Sequence, residues 1–183
     1  MPALNLSTLA IGLGLLTIIF NLLGVLKPAA FAALARKFPR WTPVGWLLML
    51  AATGWFVHYV SLETVSDFAH MKKFLYLFFA AVGIGACVFV RDFLPVRGLA
   101  CLLLLLAKLV TDHARLIESD WRLVLVTWAY VWVIVGIWLT VSPWRLRDWI
   151  DWATTSESRT RLVSGLRIAF GLFVVILGFT AFK

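Results

Sequence analysis

Hydrophobic residues in this chain fall into six nearly continuous runs that are separated by short polar segments. The runs are approximately Leu4 to Leu26, Val44 to Leu62, Phe74 to Val90, Gly98 to Ile117, Leu123 to Val141 and Leu162 to Phe182. A bilayer core of roughly 30 Å requires about 20 apolar residues per helix, and membrane strands would alternate rather than run continuously. The pattern therefore predicts an all-α, polytopic membrane protein with about six transmembrane helices.

The first and fifth runs end in the same way and are followed by similar segments. One ends in Leu-Lys-Pro at residues 26–28, and the other ends in Val-Ser-Pro at residues 141–143. Apolar residues then stand three, six, seven and ten positions after each proline, a spacing that lines one face of a helix. They are Phe31, Leu34, Ala35 and Phe38 in the first copy and Leu146, Trp149, Ile150 and Ala153 in the second. Each copy is thus expected to join two spans through an amphipathic helix lying at the membrane surface.

This reading makes residues 1–183 a single transmembrane domain of three helical hairpins. The hairpins cover about residues 4–62, 74–117 and 123–182. Because an even number of spans separates the first and third hairpins, the two copies point the same way across the membrane. We therefore expect them to be a parallel repeat rather than an inverted one.

Composition excludes a soluble globular domain. Hydrophobic residues make up 62% of the chain and charged residues 14%, and the mean hydropathy is +0.95, which leaves too little polar surface to cover a globule. The sequence also contains no HExxH, GxSxG or P-loop motif and no GxGxxG in a strand–turn–helix setting, so we do not predict an enzyme.

The distribution of basic residues predicts the orientation of the spans. Of the 17 Lys and Arg residues, eleven fall on one side of the predicted membrane. They are Lys27, Arg36, Lys37, Arg40, Arg91, Arg97, Arg145, Arg147, Arg159, Arg161 and Arg167. The positive-inside rule assigns this side to the cytoplasm and places both termini outside. Anionic lipids on that face account for the net charge of +8, so a nucleic acid partner is not required.

Basic and aromatic side chains are concentrated in and beside the two amphipathic segments. Tryptophan at a membrane interface usually serves as an anchor, because the indole has both an apolar body and a polar N–H. A sharper alternative is a docking surface for a partner subunit or for lipid headgroups. The residues of this candidate surface are Arg36, Lys37, Arg40, Trp144, Arg145, Arg147, Trp149 and Trp152.

The fourth run contains the strongest candidate for intramembrane chemistry. Lys108 stands eleven residues after Arg97, which is roughly 17 Å along a helix and close to the midplane of the membrane. Asp112 is one helical turn further, and an ionisable pair at that depth suggests a function. The possible polar site comprises Lys108, Asp112, His113 and Arg115. In the alternative interpretation the helix ends near Val110 and the Lys108 ammonium extends to the outer surface.

Two histidines offer a weaker possibility of cofactor binding. His58 and His113 are both expected near the outer ends of their spans, where they could approach each other across helices and ligate a haem. A bis-histidine site also needs residues that hydrogen-bond to the ligating imidazoles, and the chain has only three histidines in all. We therefore predict no cofactor and no metal site.

The third run contains small residues at helical spacing. Ala81 and Gly85 stand four apart, as do Gly83 and Cys87. Such pairs form grooves that let another membrane helix approach closely. The neighbouring helix could belong to this chain or to a partner.

The last third of the chain resembles a known family. Residues Val131 to Phe182, with Gly136, the Ser-Pro-Trp sequence at 142–144 and Leu166-Arg167 leading into a helix with Gly171 and Gly178, are similar to the small two-helix YjeT-like inner-membrane proteins. The resemblance implies a bacterial inner-membrane hairpin and transfers no catalytic residues. The additional middle hairpin and the longer linker depart from that pattern.

These observations favour a structural or accessory subunit of a membrane protein complex, with other membrane subunits or further copies of this chain as partners. Such a subunit needs helix faces with small residues for packing and amphipathic surface helices for docking. It does not need a charged residue inside the membrane for its function. The alternative is a small channel or transporter whose ion or proton path uses Lys108 and Asp112. A haem-binding membrane subunit is a minor alternative.

Overall fold

A computed structural model of the chain describes residues 5–62 and 71–182. Leu4, where we expect the first apolar run to begin, lies outside these ranges. Every regular element in the described ranges is helical. The elements are α1 (Leu6–Leu26), α2 (Pro28–Lys37), a short 3₁₀ turn (Phe38–Arg40), α3 (Thr42–Leu62), α4 (Lys72–Phe89), α5 (Leu94–Ala114), α6 (Arg122–Val141), α7 (Trp144–Ala153) and α8 (Glu157–Thr180).

Six of these helices are long and apolar enough to cross a membrane, which confirms that part of the sequence prediction. They are α1, α3, α4, α5, α6 and α8. Two begin four or five residues earlier than the apolar runs indicate. α5 starts at Leu94 because Pro95 is well suited to a first helical turn, and α8 starts at Glu157 because the Ser156 side chain accepts a hydrogen bond from the Arg159 N–H. α5 ends at Ala114, four residues beyond the end near Val110 that the alternative interpretation assumed, while extension of the Lys108 ammonium to the outer surface stays a prediction.

The two Pro-associated breaks have nearly the same backbone conformation. Lys27 has φ −135° and ψ 72°, and Ser142 has φ −129° and ψ 70°. Each residue donates its N–H to the carbonyl four residues earlier, Leu23 O and Trp138 O respectively, at 2.8 Å. The following proline disfavours the α conformation in the residue before it, so the spanning helix ends there.

The first and last spanning helices pack along each other over most of their lengths. Ser7 Oγ donates a hydrogen bond to Gly178 O at 2.7 Å. Further along, a Cβ placed on Gly171 would lie 2.9 Å from Gly14 O, so the two backbones touch where neither residue has a side chain. Low numbers on α1 meet high numbers on α8, and the two helices are therefore antiparallel.

α5 lies at the centre of the remaining helices, between α3 and α6. On one side a Cβ on Gly98 would lie 2.8 Å from the Met49 N atom of α3. On the other side a Cβ on Gly136 of α6 would lie 3.1 Å from Ala100 O. α5 is consequently the most enclosed span, with 44% of its apolar stretch buried.

The closest helix pairs are α1 with α8, α5 with α6, α3 with α5 and α3 with α4. Each pair joins helices from two different predicted hairpins. The largest core cluster includes Ala10, Val110, Ala129 and Val174, which bring together α1, α5, α6 and α8. The hairpin grouping and the parallel repeat remain predictions, while the packing that stabilises the bundle crosses the hairpin boundaries.

The contact between α1 and α8 leads to a stability prediction. Gly171→Leu should lower the free energy of unfolding by about 1–3 kcal/mol, because the added side chain overpacks the contact with α1. Gly165→Leu is the matched control on the same helix, since a Cβ there meets nothing within 4 Å. Unfolding of both variants in mild detergent, followed by circular dichroism during titration with dodecyl sulfate, measures the difference. Equal stability of the two variants would contradict the proposed role of this contact.

Candidate functional site

Three of the four polar residues predicted in the fourth run, Lys108, Asp112 and Arg115, form one connected cluster at the end of α5. Lys108 Nζ lies 2.7 Å from Asp112 Oδ2, and Arg115 Nη2 lies 3.0 Å from the other carboxylate oxygen, Asp112 Oδ1. Lys108 Nζ also lies 5.1 Å from the centre of the Tyr59 ring on α3, within the range of a cation–π interaction. Two cations thus share one carboxylate, and the cluster carries one net positive charge.

The cluster lies toward the C-terminal end of α5 rather than at its middle. Lys108 is fourteen residues after Leu94, or about 21 Å along a helix of about 30 Å. The estimate of a midplane position counted from Arg97, but α5 begins earlier at Leu94 and ends at Ala114. Only six residues, about 9 Å, separate Lys108 from that end. The long side chains of Lys108 and Arg115 therefore lie near the end of α5 that is opposite Arg97.

Lys108 lines two clefts, one on each side of α5. The first has a volume of about 860 Å³ and lies between α5 and α6, where Asp112, Arg115 and Arg122 also line it. The second has a volume of about 520 Å³ and lies between α3, α4 and α5. The first cleft contains several charges, whereas the second is lined mainly by apolar side chains.

The histidines do not form a recognisable metal site in the described part of the chain. His113 Nδ1 lies 2.8 Å from Leu109 O of its own helix, an arrangement that leaves Nε2 as the available ligand atom. Residues 5–62 and 71–182 contain no group of three or more His, Cys, Asp or Glu side chains that could hold a metal ion. Haem ligation by His58 and His113 stays a prediction.

Arg36 joins the two short helices α2 and α7. Its Nη2 donates to Thr154 O at 2.9 Å, its Nε donates to Thr154 Oγ1 at 3.1 Å, and Nε lies 3.4 Å from Asp151 Oδ1. α2 begins at Pro28 and α7 directly after Pro143, so the contacts of Arg36 place both breaks at the same end of the bundle. We call this end, formed by α2, the 3₁₀ turn and α7, the α2/α7 face.

Most of the predicted docking residues are exposed on the α2/α7 face. The exposed ones are Arg36, Lys37, Arg40, Trp144, Arg145, Arg147 and Trp152. Trp149 instead turns inward, and its ring packs edge-on against Trp138 of α6 with centroids 5.4 Å apart. Leu34, which the helical spacing places on the apolar face of α2, is 54% exposed. The placement of these predicted docking residues among lipid headgroups remains a prediction.

The four small residues predicted as packing sites on α4 divide between two faces. Gly83 contacts α3 so closely that an added Cβ would collide with the Thr53 side chain. Cys87 is buried on the same side. Ala81 is exposed, and a Cβ on Gly85 would meet no atom of another helix within 4 Å. Only Gly83 and Cys87 are therefore used for packing within the described part of the chain.

The outward side of α4 carries a regular line of residues, which we call the α4 stripe. It consists of Phe74, Phe78, Ala81, Gly85 and Val88, whose spacing alternates between four and three residues. The three large members are 71%, 59% and 42% exposed in chain order. α4 packs chiefly on α3, and only 11% of its apolar stretch is buried, the smallest fraction among the six candidate spans.

Arg97 has a role in the structure that the sequence analysis missed, since it was counted only as a cytoplasmic charge. Its Nη1 lies 3.4 Å from Thr140 O of α6, and its Nε is buried without a hydrogen-bond partner among the described residues. The signal available in the sequence was Pro95, because a proline favours the first turn of a helix and so places Arg97 inside α5.

Comparison of the chain with protein-family models, with curated proteins and with solved structures found no match. The resemblance of the last third to YjeT-like proteins therefore rests on its sequence pattern alone. The function must be argued from the geometry of this chain.

Proposed function

We propose that this protein is a structural or accessory subunit of a membrane protein complex and that its partner binds at the α4 stripe. The observation that carries this proposal is the position of α4. The other five candidate spans contribute to packing around α5 or to the pair of α1 and α8, whereas α4 is attached chiefly through α3. A helix that adds little to the core of its own chain is well placed to contact another protein.

The shape of the α4 stripe supports this proposal over simple contact with lipid. Ala81 and Gly85 form a shallow region between the larger Phe78 and Val88. Small residues allow a second membrane helix to approach closely, and the alternating spacing of four and three fits a helix crossing at a small angle. A surface that contacts only lipid must be apolar, but it does not require small and large residues at this regular spacing.

The α2/α7 face supports the proposed orientation. Its exposed arginines, lysines and tryptophans have the composition expected at a cytoplasmic headgroup layer containing anionic lipids. In this proposal α2 and α7 lie along the inner surface of a bacterial cytoplasmic membrane, and both chain termini are outside. The bridge from Arg36 to Thr154 would keep the two surface helices together as one anchor.

A second candidate function is a small channel or transporter. The observation that favours it is the charged cleft of about 860 Å³, into which Lys108, Asp112 and Arg115 project from α5. An ionisable cluster along a membrane helix is costly unless water or a substrate reaches it. A haem-binding subunit remains the minor alternative, and an absorbance spectrum of the purified protein tests it directly through the Soret band.

The α4 stripe gives a test of the proposed partner contact. Gly85→Phe should reduce co-purification of a stoichiometric partner at least about tenfold, because a single well-placed contact is worth 1.4 kcal/mol or more. Gly12→Phe on α1 is the control, since Gly12 also has no atom within 4 Å of an added Cβ. Tagged full-length protein is isolated from its native membrane in mild detergent and analysed by quantitative mass spectrometry. Equal recovery of partner with both variants, or a wild-type protein without any partner, would reject the proposal.

Cysteine labelling tests the orientation. In a Cys87→Ala, Cys101→Ala background, Glu118→Cys in the segment between α5 and α6 should react with a membrane-impermeant maleimide added to intact cells. Arg40→Cys beside α2 should react only after the cells are permeabilised. The opposite labelling pattern would place the α2/α7 face outside and would overturn the topology.

Flux measurements decide the second candidate. If ions or protons use the α5 cluster, the wild-type protein in liposomes conducts, and Lys108→Leu combined with Asp112→Asn reduces the flux at least about tenfold by removing both intramembrane charges. Arg147→Leu combined with Asp148→Asn is the matched control, because it neutralises an ion pair of 3.1 Å on α7. Wild-type liposomes without flux, or unchanged flux in the Lys108 and Asp112 variant, would remove this candidate.

A further inference from the structure

The cleft between α3, α4 and α5 is long, narrow and apolar. Its volume is about 520 Å³, and its lining includes Ala52, Phe56, Val82, Ala86 and Val90. Phe56, Val82 and Val90 are 39%, 53% and 38% exposed, so the cleft is open along its side toward the surroundings of the bundle. An apolar ligand in the membrane could therefore enter sideways between the helices.

The length of the cleft matches one leaflet of a membrane. α5 lines it from Arg97 through Cys101 and Leu104 to Lys108. The eleven helical rises from Arg97 to Lys108 correspond to about 17 Å, which is close to half of a hydrocarbon core of roughly 30 Å. The cleft thus runs from the end of the bundle at the α2/α7 face to a point beyond the middle of α5.

The cross-section of the cleft decides what can occupy it. All the empty space in and around the cleft amounts to about 1240 Å³, which over about 17 Å gives a mean cross-section of at most about 70 Å². A partner helix about 10–12 Å in diameter would need roughly 80–110 Å². The cleft is too narrow for a helix, but it has room for one extended hydrocarbon chain.

The two ends of the cleft differ in their electrostatics. At the far end Lys108 is paired with Asp112 at 2.7 Å, so its charge is largely compensated. At the α2/α7 end, none of the ion pairs among the described residues includes Arg97. The Arg97 Nε is buried without a hydrogen-bond partner in that part of the chain, and Nη1 makes only a long contact of 3.4 Å with Thr140 O. A half-buried guanidinium with spare donors is suited to a phosphate group.

We propose that this cleft binds one anionic phospholipid from the leaflet on the side of the α2/α7 face. One acyl chain lies along α5 between α3 and α4, and the phosphate accepts hydrogen bonds from Arg97. The location of Arg97 four residues into α5 places the phosphate close to the headgroup layer while the chain extends toward the middle of the membrane. This site is separate from the α4 stripe, because Gly83 and Ala86 on the cleft side point away from Ala81 and Gly85.

Lipid retention measured by native mass spectrometry tests the proposal. The full-length protein is reconstituted in nanodiscs containing equal amounts of phosphatidylglycerol and phosphatidylcholine, and the lipids retained after release are counted. We expect one retained phosphatidylglycerol, with at least about a tenfold preference over phosphatidylcholine, since hydrogen bonds to a charged group exceed 1.4 kcal/mol. Arg97→Gln should abolish this preference, and Arg97→Lys should keep part of it.

Two further variants separate the site from general effects. Arg91→Gln makes the same charge change at an exposed residue beside the cleft and should behave like the wild type. Val82→Trp should fill the cleft from its exposed rim and reduce retention of both lipids, while leaving the core intact. The proposal is overturned if wild-type protein retains the two lipids equally, or if Arg91→Gln has the same effect as Arg97→Gln. It is also overturned if inorganic phosphate alone displaces the retained lipid, because the acyl chain would then contribute nothing.

Discussion

The close contact between α1 and α8 is the interaction on which the arrangement of the bundle depends. Within a membrane, apolar surface gains little by packing against another protein helix instead of lipid, so helix association relies on close van der Waals contact and on hydrogen bonds. Gly14 and Gly171 provide the first by letting two backbones touch, and Ser7 provides the second by donating to Gly178 O. The contact brings the two ends of the chain together and forms one wall of the core around α5 and α6.

With α1 and α8 packed together, the other helices take up a definite order in the bundle. α5 is held between α3 and α6 by backbone contacts at Gly98 and Gly136, and α4 packs chiefly on α3. This order leaves α4 at the edge, with Gly83 turned toward α3 and the α4 stripe turned away. The same order opens a cleft on each side of α5, one bearing charges and one apolar. The two proposals made for this protein, a partner at α4 and a lipid beside α5, therefore use opposite sides of one peripheral helix.

Local features of the fold could be predicted, and features that depend on distant residues could not. The six apolar runs and the two helix breaks before proline follow from short stretches of sequence, and the breaks even share their backbone angles. The starting points of α5 and α8 were missed because caps and first-turn prolines extend a helix beyond its apolar stretch. The same error displaced the expected depth of Lys108, since depth is counted from the helix end.

The sequence by itself indicated that the surroundings of this protein are lipid and that its fold is all-α. It also predicted six candidate spans and the pairing of Lys108 with Asp112 one turn apart. Each of these follows from composition or from helical spacing, which act over a few residues. Only the tertiary structure decided that α1 packs on α8, that Arg36 bridges α2 and α7, and that Arg97 lies with a buried Nε at one end of an apolar cleft. Those features join residues far apart in the chain, and their geometry depends on which small residues allow which helices to approach.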